Sequence, residues 1–231
     1  MFDESYFFVF EIFGYLNSLL LVVYCIMFIF NFRKIKNKTL KTIAVYLIFC
    51  CLIDLLTHIS NVLFDKDFLL NFISIALRLT FRFGELWILG YLLNHYWIKS
   101  KVVWFIMILC SLYLFYDFYI YQTEGILNYV AYAQITTNIL LILLIIINLL
   151  KQLKVDKPFS VTNQMLCMVF LTYFSIHLVY IVFQNFLINQ SFTKRSFSLF
   201  YSSYAGLHII YYFSLALILY KSNKRIDLKD S

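Results

Sequence analysis

Glu11, Asp54, His58, Arg78, Arg82, Glu85, Asp117, His177 and His208, with Asn61 beside them, are ionisable or amide side chains set inside long apolar segments. Ionisable groups are expensive in a bilayer, so they pair with one another or line a polar site. Their spacing is ordered. Asp54, His58 and Asn61 follow i, i+4, i+7, one face of a helix, and Arg78, Arg82 and Glu85 repeat the pattern. Arg82 is the natural counter-ion for Asp54, Glu85 or both. Tyr201, Tyr204, His208 and Tyr211 share a face of the last segment. Gln134, Thr137 and Asn138 offer neutral donors from the fifth. Three intramembrane imidazoles, His58, His177 and His208, open metal binding as an alternative, since imidazole and carboxylate are good zinc ligands.

The elements that carry these residues follow from composition. The 231-residue chain is 63% hydrophobic and 13% charged, where a soluble domain carries about 25%. Five Gly and a single Pro suit long, unbroken helices. The apolar runs are continuous, which excludes the alternating pattern of a membrane β-barrel. The expected fold is all-α, a polytopic bundle of seven transmembrane helices over roughly 6–31, 40–64, 68–98, 102–122, 126–150, 164–190 and 197–220. Short connections leave one domain, 1–231. All five cysteines lie in apolar segments without metal-knuckle spacing and read as small buried residues. The acidic start, with Asp3 and Glu4, lacks the basic region of a cleavable signal, so helix 1 is expected to act as its own anchor.

The net charge of +7 is concentrated in short tracts between apolar segments, a pattern of membrane orientation rather than nucleic-acid binding. Arg33, Lys34, Lys36, Lys38 and Lys41 fill the first connection. With Lys99, Lys101, Lys151, Lys154, Lys157 and the tail bases, fourteen cations fall on one side if seven helices alternate. That predicts an outer N-terminus, a cytoplasmic C-terminus and a multi-pass protein of the cell membrane. Counted from the cytoplasmic anchors, Arg82 and His58 lie about 5 to 6 Å below the outer boundary, and Glu85 and Asp54 about 10 Å. Asp117, His177 and His208 fall about 7 to 12 Å deep. On this count Asp54 stands opposite Glu85, and His58 opposite Arg82. His95, beside Tyr96 and Trp97, is interfacial.

Several families share the layout. Microbial rhodopsins need a lysine in the last helix, and 197–220 contains none. Asp54-x3-His58, Glu85 and His208-x3-Tyr212 partly resemble the zinc-dependent ceramidase and adiponectin-receptor-like hydrolases. Those combine a Ser-x3-His, an Asp and a His-x3-His. The resemblance implies a metal-dependent intramembrane hydrolase, with one imidazole of the last pair replaced by Tyr212. Glu85-Leu86-Trp87 and the aromatic helix 7 resemble small uncharacterised seven-helix membrane proteins of bacteria, which look like detached sensor domains.

The polar set at one level implies an outward-facing pocket for a small ligand, formed by Asp54, His58, Asn61, Arg78, Arg82, Glu85, Asp117, His177, Tyr204 and His208. No complete catalytic motif and no cofactor motif is present, so the sequence favours a sensor or receptor-like module over an enzyme. Its partners would be the lipid bilayer, a small ligand from the outer side, and a signalling protein met through loop 5 or the tail. A ceramidase-like hydrolase and a small-solute transporter are the alternatives.

Overall fold

A computed structural model describes residues 3–63, 68–124, 132–153, 160–189 and 194–227. They are helical almost throughout. Helix α1 spans Asp3–Asn31, α2 Lys38–Leu63, α3 Phe68–Tyr91, α4 Lys101–Glu124, α5 Tyr132–Leu153, α6 Val161–Asn189 and α7 Lys194–Asp227. Asn37 starts α2: its Oδ1 accepts the Thr39 N–H at 2.9 Å, filling a donor that the first turn leaves open. A π-helical turn, Leu92–Ile98, continues α3, and Lys99, at φ 58°, ends it. Asn94 clamps that end by bonding both the N–H and the C=O of Ser100 at 2.9 Å. Lys151 Nζ of α5 caps the Ile98 carbonyl at 2.7 Å.

Among the described residues, six helices are long and apolar enough to cross a membrane, and the chain is a multi-pass membrane protein. The exception is α3, because every 18-residue stretch within it contains Arg78, Arg82 and Glu85. Each helix packs on its neighbours in the chain, and α7 returns to α1, closing a ring. Contacts of α2 with α7 and of α3 with α5 fill the centre. Only 11% of the apolar stretch of α1 is buried, against 33–44% in the other five, so α1 stands on the periphery.

The inner faces are marked by polarity rather than by hydrophobicity, because lipid is as apolar as any core. Helix α4 is apolar all round: Val102, Phe105, Leu109 and Leu112 are exposed, while Val103, Met107, Cys110 and Leu114 are buried. Asp117 continues the buried row and identifies the inner face. In α5 the buried row contains Thr137, Asn138 and Asn148. Four of the cysteines, Cys50, Cys51, Cys110 and Cys167, are buried, and all five are free thiols.

The register of α2 against α3 is set by Gly84. A Cβ there would run into the ring of Phe49, which stacks on Phe81 with centroids 6.4 Å apart. This contact corrects the levels expected from counting inward from the helix ends. Residue 84 stands beside 49, so Glu85 meets Tyr46 rather than Asp54, eight residues and about 12 Å further along α2.

Candidate functional site

Arg82 is the centre of a polar network contributed by five helices. Its Nη1 donates to Glu85 Oε2, one turn on in α3, at 2.9 Å. The pair is buried, with side chains 12% and 3% exposed. Tyr46 of α2 donates its hydroxyl to the other carboxylate oxygen at 2.9 Å, so both oxygens of Glu85 are satisfied. Tyr211 of α7 reaches the Tyr46 hydroxyl at 3.5 Å. Isolated charges would be costly here. Paired and hydrogen-bonded, they form a locally neutral unit.

The second amino group of Arg82 fixes the state of His177. Arg82 Nη2 lies 2.9 Å from His177 Nε2 and can only donate, so Nε2 is the acceptor. The ring proton then sits on Nδ1 and donates to Asn138 Oδ1 of α5 at 3.1 Å. The amide orientation agrees, since Asn138 Nδ2 donates to the Gln134 carbonyl at 3.0 Å. His177 is therefore the neutral Nδ1–H tautomer, an assignment from the network. Tyr204 of α7 lies 2.7 Å from the same Nε2 and donates to it. Its oxygen also stands 3.4 Å from Arg82 Nη2.

Aromatic rings hold this network from the α6–α7 side. His177 stacks between Tyr173 and Tyr204, with centroids 5.2 and 5.6 Å away. Tyr173 stacks on Tyr211 at 3.7 Å and shares a hydrogen bond of 3.1 Å with His208 Nδ1. His208 thus joins the site through Tyr173 and through the edge of Tyr204, 4.6 Å between centroids.

Beside Arg82 lies a pocket of about 60 Å³ between α3, α4 and α5, lined by Arg78, Arg82, Asp117 and Gln134 with Ile75, Leu79, Leu114 and Phe118. It is large enough for a few waters or a small polar group. Arg78 is exposed, and among the described residues it has no hydrogen bond or ion pair. Asp117 is buried in the opposite wall. The pocket thus presents two guanidinium groups across from one carboxylate.

The structure gathers Arg82, Glu85, His177, Tyr204 and His208 into one network and adds Arg78 and Asp117 at its pocket. It separates Asp54 and His58 from them. His58 faces α1: its Nε2 lies 2.8 Å from Ser18 Oγ, and its ring stacks on Tyr15. Among the described residues the only ion-pair partner of Asp54 is His58, at 3.9 Å, so Arg82 is counter-ion to Glu85 and not to Asp54. Tyr46 lies eight residues before Asp54, about 12 Å along the helix, which puts Tyr46 and not Asp54 at the level of Glu85. The side chains of Glu11 and Asn61 lie outside the described residues.

The alternative metal set does not assemble. Among the described residues no three of His, Cys, Asp and Glu form a metal-holding group. His177 and His208 are neighbours, 5.9 Å between centroids, but the free lone pair of His177 is occupied by Arg82 and Tyr204. His58 stands with Ser18 on another face. Tyr46 and Tyr173 belong to the site and were not singled out in the sequence. Tyr46 is a lone phenol in an aliphatic run and Tyr173 one ring among several in its helix, signals also given by any interfacial tyrosine. Comparison with known proteins adds nothing to this geometry: no family model, curated protein or solved structure matches the chain.

Proposed function

We propose that the protein is a seven-helix sensor or receptor-like module of a bacterial cell membrane. Its N-terminus lies outside, and it binds a small solute from the outer side. The orientation rests on the fourteen basic residues that fall on one side when seven helices alternate. Crossing by α3 is supported by the Arg82–Glu85 pair, which cancels its charge internally.

One observation carries the reading. The guanidinium that joins α3 to α6 and α7, and through Glu85 to α2, also lines the wall of a polar pocket. A solute with an anionic group would pair with Arg78 and Arg82, and a donor or ammonium on it would meet Asp117. Such a contact competes for Arg82 with His177 and Tyr204, so binding changes how α6 and α7 are held to α3. A ligand shifts a conformational equilibrium only through such differential contacts. Helix α7 runs on to Asp227, and a signalling partner would meet the tail, Lys221 to Ser231, or loop 5, the connection from Lys151 to Asn163.

The reading is tested by thermal melting of the detergent-purified protein against a panel of small carboxylates and amino acids. At least one is expected to raise the melting temperature in a saturable way. Arg78→Gln, which alters an exposed side chain, is expected to abolish that rise while leaving the unliganded melting temperature in place. A folded protein that responds to no member of the panel would contradict the proposal.

A further inference from the structure

At the opposite end of α3 from the pocket, a second and larger cavity of about 540 Å³ lies between the start of α2 and the end of α3. Lys38, Lys41 and Thr42 form its polar end, and Val45, Trp87 and Tyr91 are among the side chains that form its apolar wall. Val45 and Tyr91 are exposed, so the groove opens sideways, where the acyl chains of a bilayer would lie. Lys41 is held in place with its ammonium 5.2 Å from the Phe32 ring centroid. Among the described residues no carboxylate lines the groove, and Arg33, Lys34 and Lys36 stand next in sequence to its basic end.

We infer that this groove binds an anionic phospholipid, its phosphate on Lys38 and Lys41 and its upper acyl chain along Val45 and Trp87. The volume falls in the range of small-molecule sites, far beyond what a bare phosphate fills. The apolar wall distinguishes the groove from a purely electrostatic patch. Cations beside a transmembrane helix attract acidic headgroups, and basic pockets between such helices select them. Charge complementarity therefore names the occupant, and the lateral opening names its source as the membrane. The inference does not depend on the solute-binding reading, because the two sites share no residue.

The test is native mass spectrometry of the full chain in neutral detergent with equimolar phosphatidylglycerol and phosphatidylcholine of identical acyl chains. Each groove lysine is expected to contribute about fivefold, for a preference of about 25-fold for phosphatidylglycerol. Lys38→Gln/Lys41→Gln should bring the ratio close to one. Arg33→Gln/Lys36→Gln removes the same charge outside the groove and should leave the preference in place. Val45→Trp fills the groove without altering charge and should also lose phosphatidylglycerol, which keeps the test decisive if the lysine variant does not fold. Glycerol phosphate, a headgroup without chains, should not displace the lipid. Equal retention of both lipids, equal loss in both charge variants, undiminished binding in Val45→Trp, or displacement by glycerol phosphate would each overturn the inference.

Discussion

Arg82 spends its donors on Glu85, His177 and Tyr204, so its removal disturbs more than one bond. The largest effect is on Glu85. With Tyr46 as its remaining partner, the carboxylate would be buried without its counter-ion. Breaking a buried pair from one side costs about 3 to 5 kcal/mol, much of it the unpaired charge rather than the lost bond. Arg82→Ala is therefore expected to lower the melting temperature in detergent sharply, and adding Glu85→Gln to restore part of it. A melt unchanged by Arg82→Ala would mean that the guanidinium is solvated and the network is not formed. At this scale the sequence was partly legible. Arg82 and Glu85 announce themselves as charges one turn apart in an apolar run. The partners Tyr46 and Tyr173 do not, because a phenol in a membrane helix carries no mark of the neighbour it will meet; Asn138 shows in the sequence as a donor, but not as the partner of His177.

The helices themselves were legible, because continuous apolar runs with few breakers leave little else to form. Their rotation and register were less so. In α4 apolar residues cover every face, and only Ser111 and Asp117, both buried, tell which side turns inward. For α2 and α3, aligning membrane ends set Asp54 against Glu85, whereas the close approach of Gly84 to Phe49 sets Tyr46 there. Small residues at helix interfaces let backbones come together in this way, and packing supplies much of the association energy in lipid. Gly84→Ala is accordingly expected to destabilise the protein by about 1 to 3 kcal/mol, the usual cost of overpacking. Gly14 has no atom within 4 Å of an added Cβ, so Gly14→Ala should be neutral or slightly stabilising. The two variants are compared by thermal melting in one detergent. Equal effects would show that the α2–α3 contact does not depend on the missing side chain.

As a whole, the bundle divides its charge by depth and by end. The buried pair and its aromatic frame occupy the middle of the ring. The Arg78–Asp117 pocket lies toward the end of α4 and the start of α5, and the lysine groove toward the start of α2 and the end of α3. Seven alternating crossings would keep the basic connections together at the groove end. An outward pocket therefore requires that Ile75 and Gln134, which line it, be reached from outside the cell, while Val45 in the groove is not. The direct measurement is labelling of single cysteines at Ile75, Gln134 and Val45, in a background with the five native cysteines replaced, by a small membrane-impermeant thiol reagent added to intact cells. Labelling at Ile75 and Gln134 before permeabilisation, with Val45 labelled only afterwards or not at all, is the expected result. Labelling of Val45 from outside, with Ile75 and Gln134 protected, would contradict both the orientation and the outward-facing site.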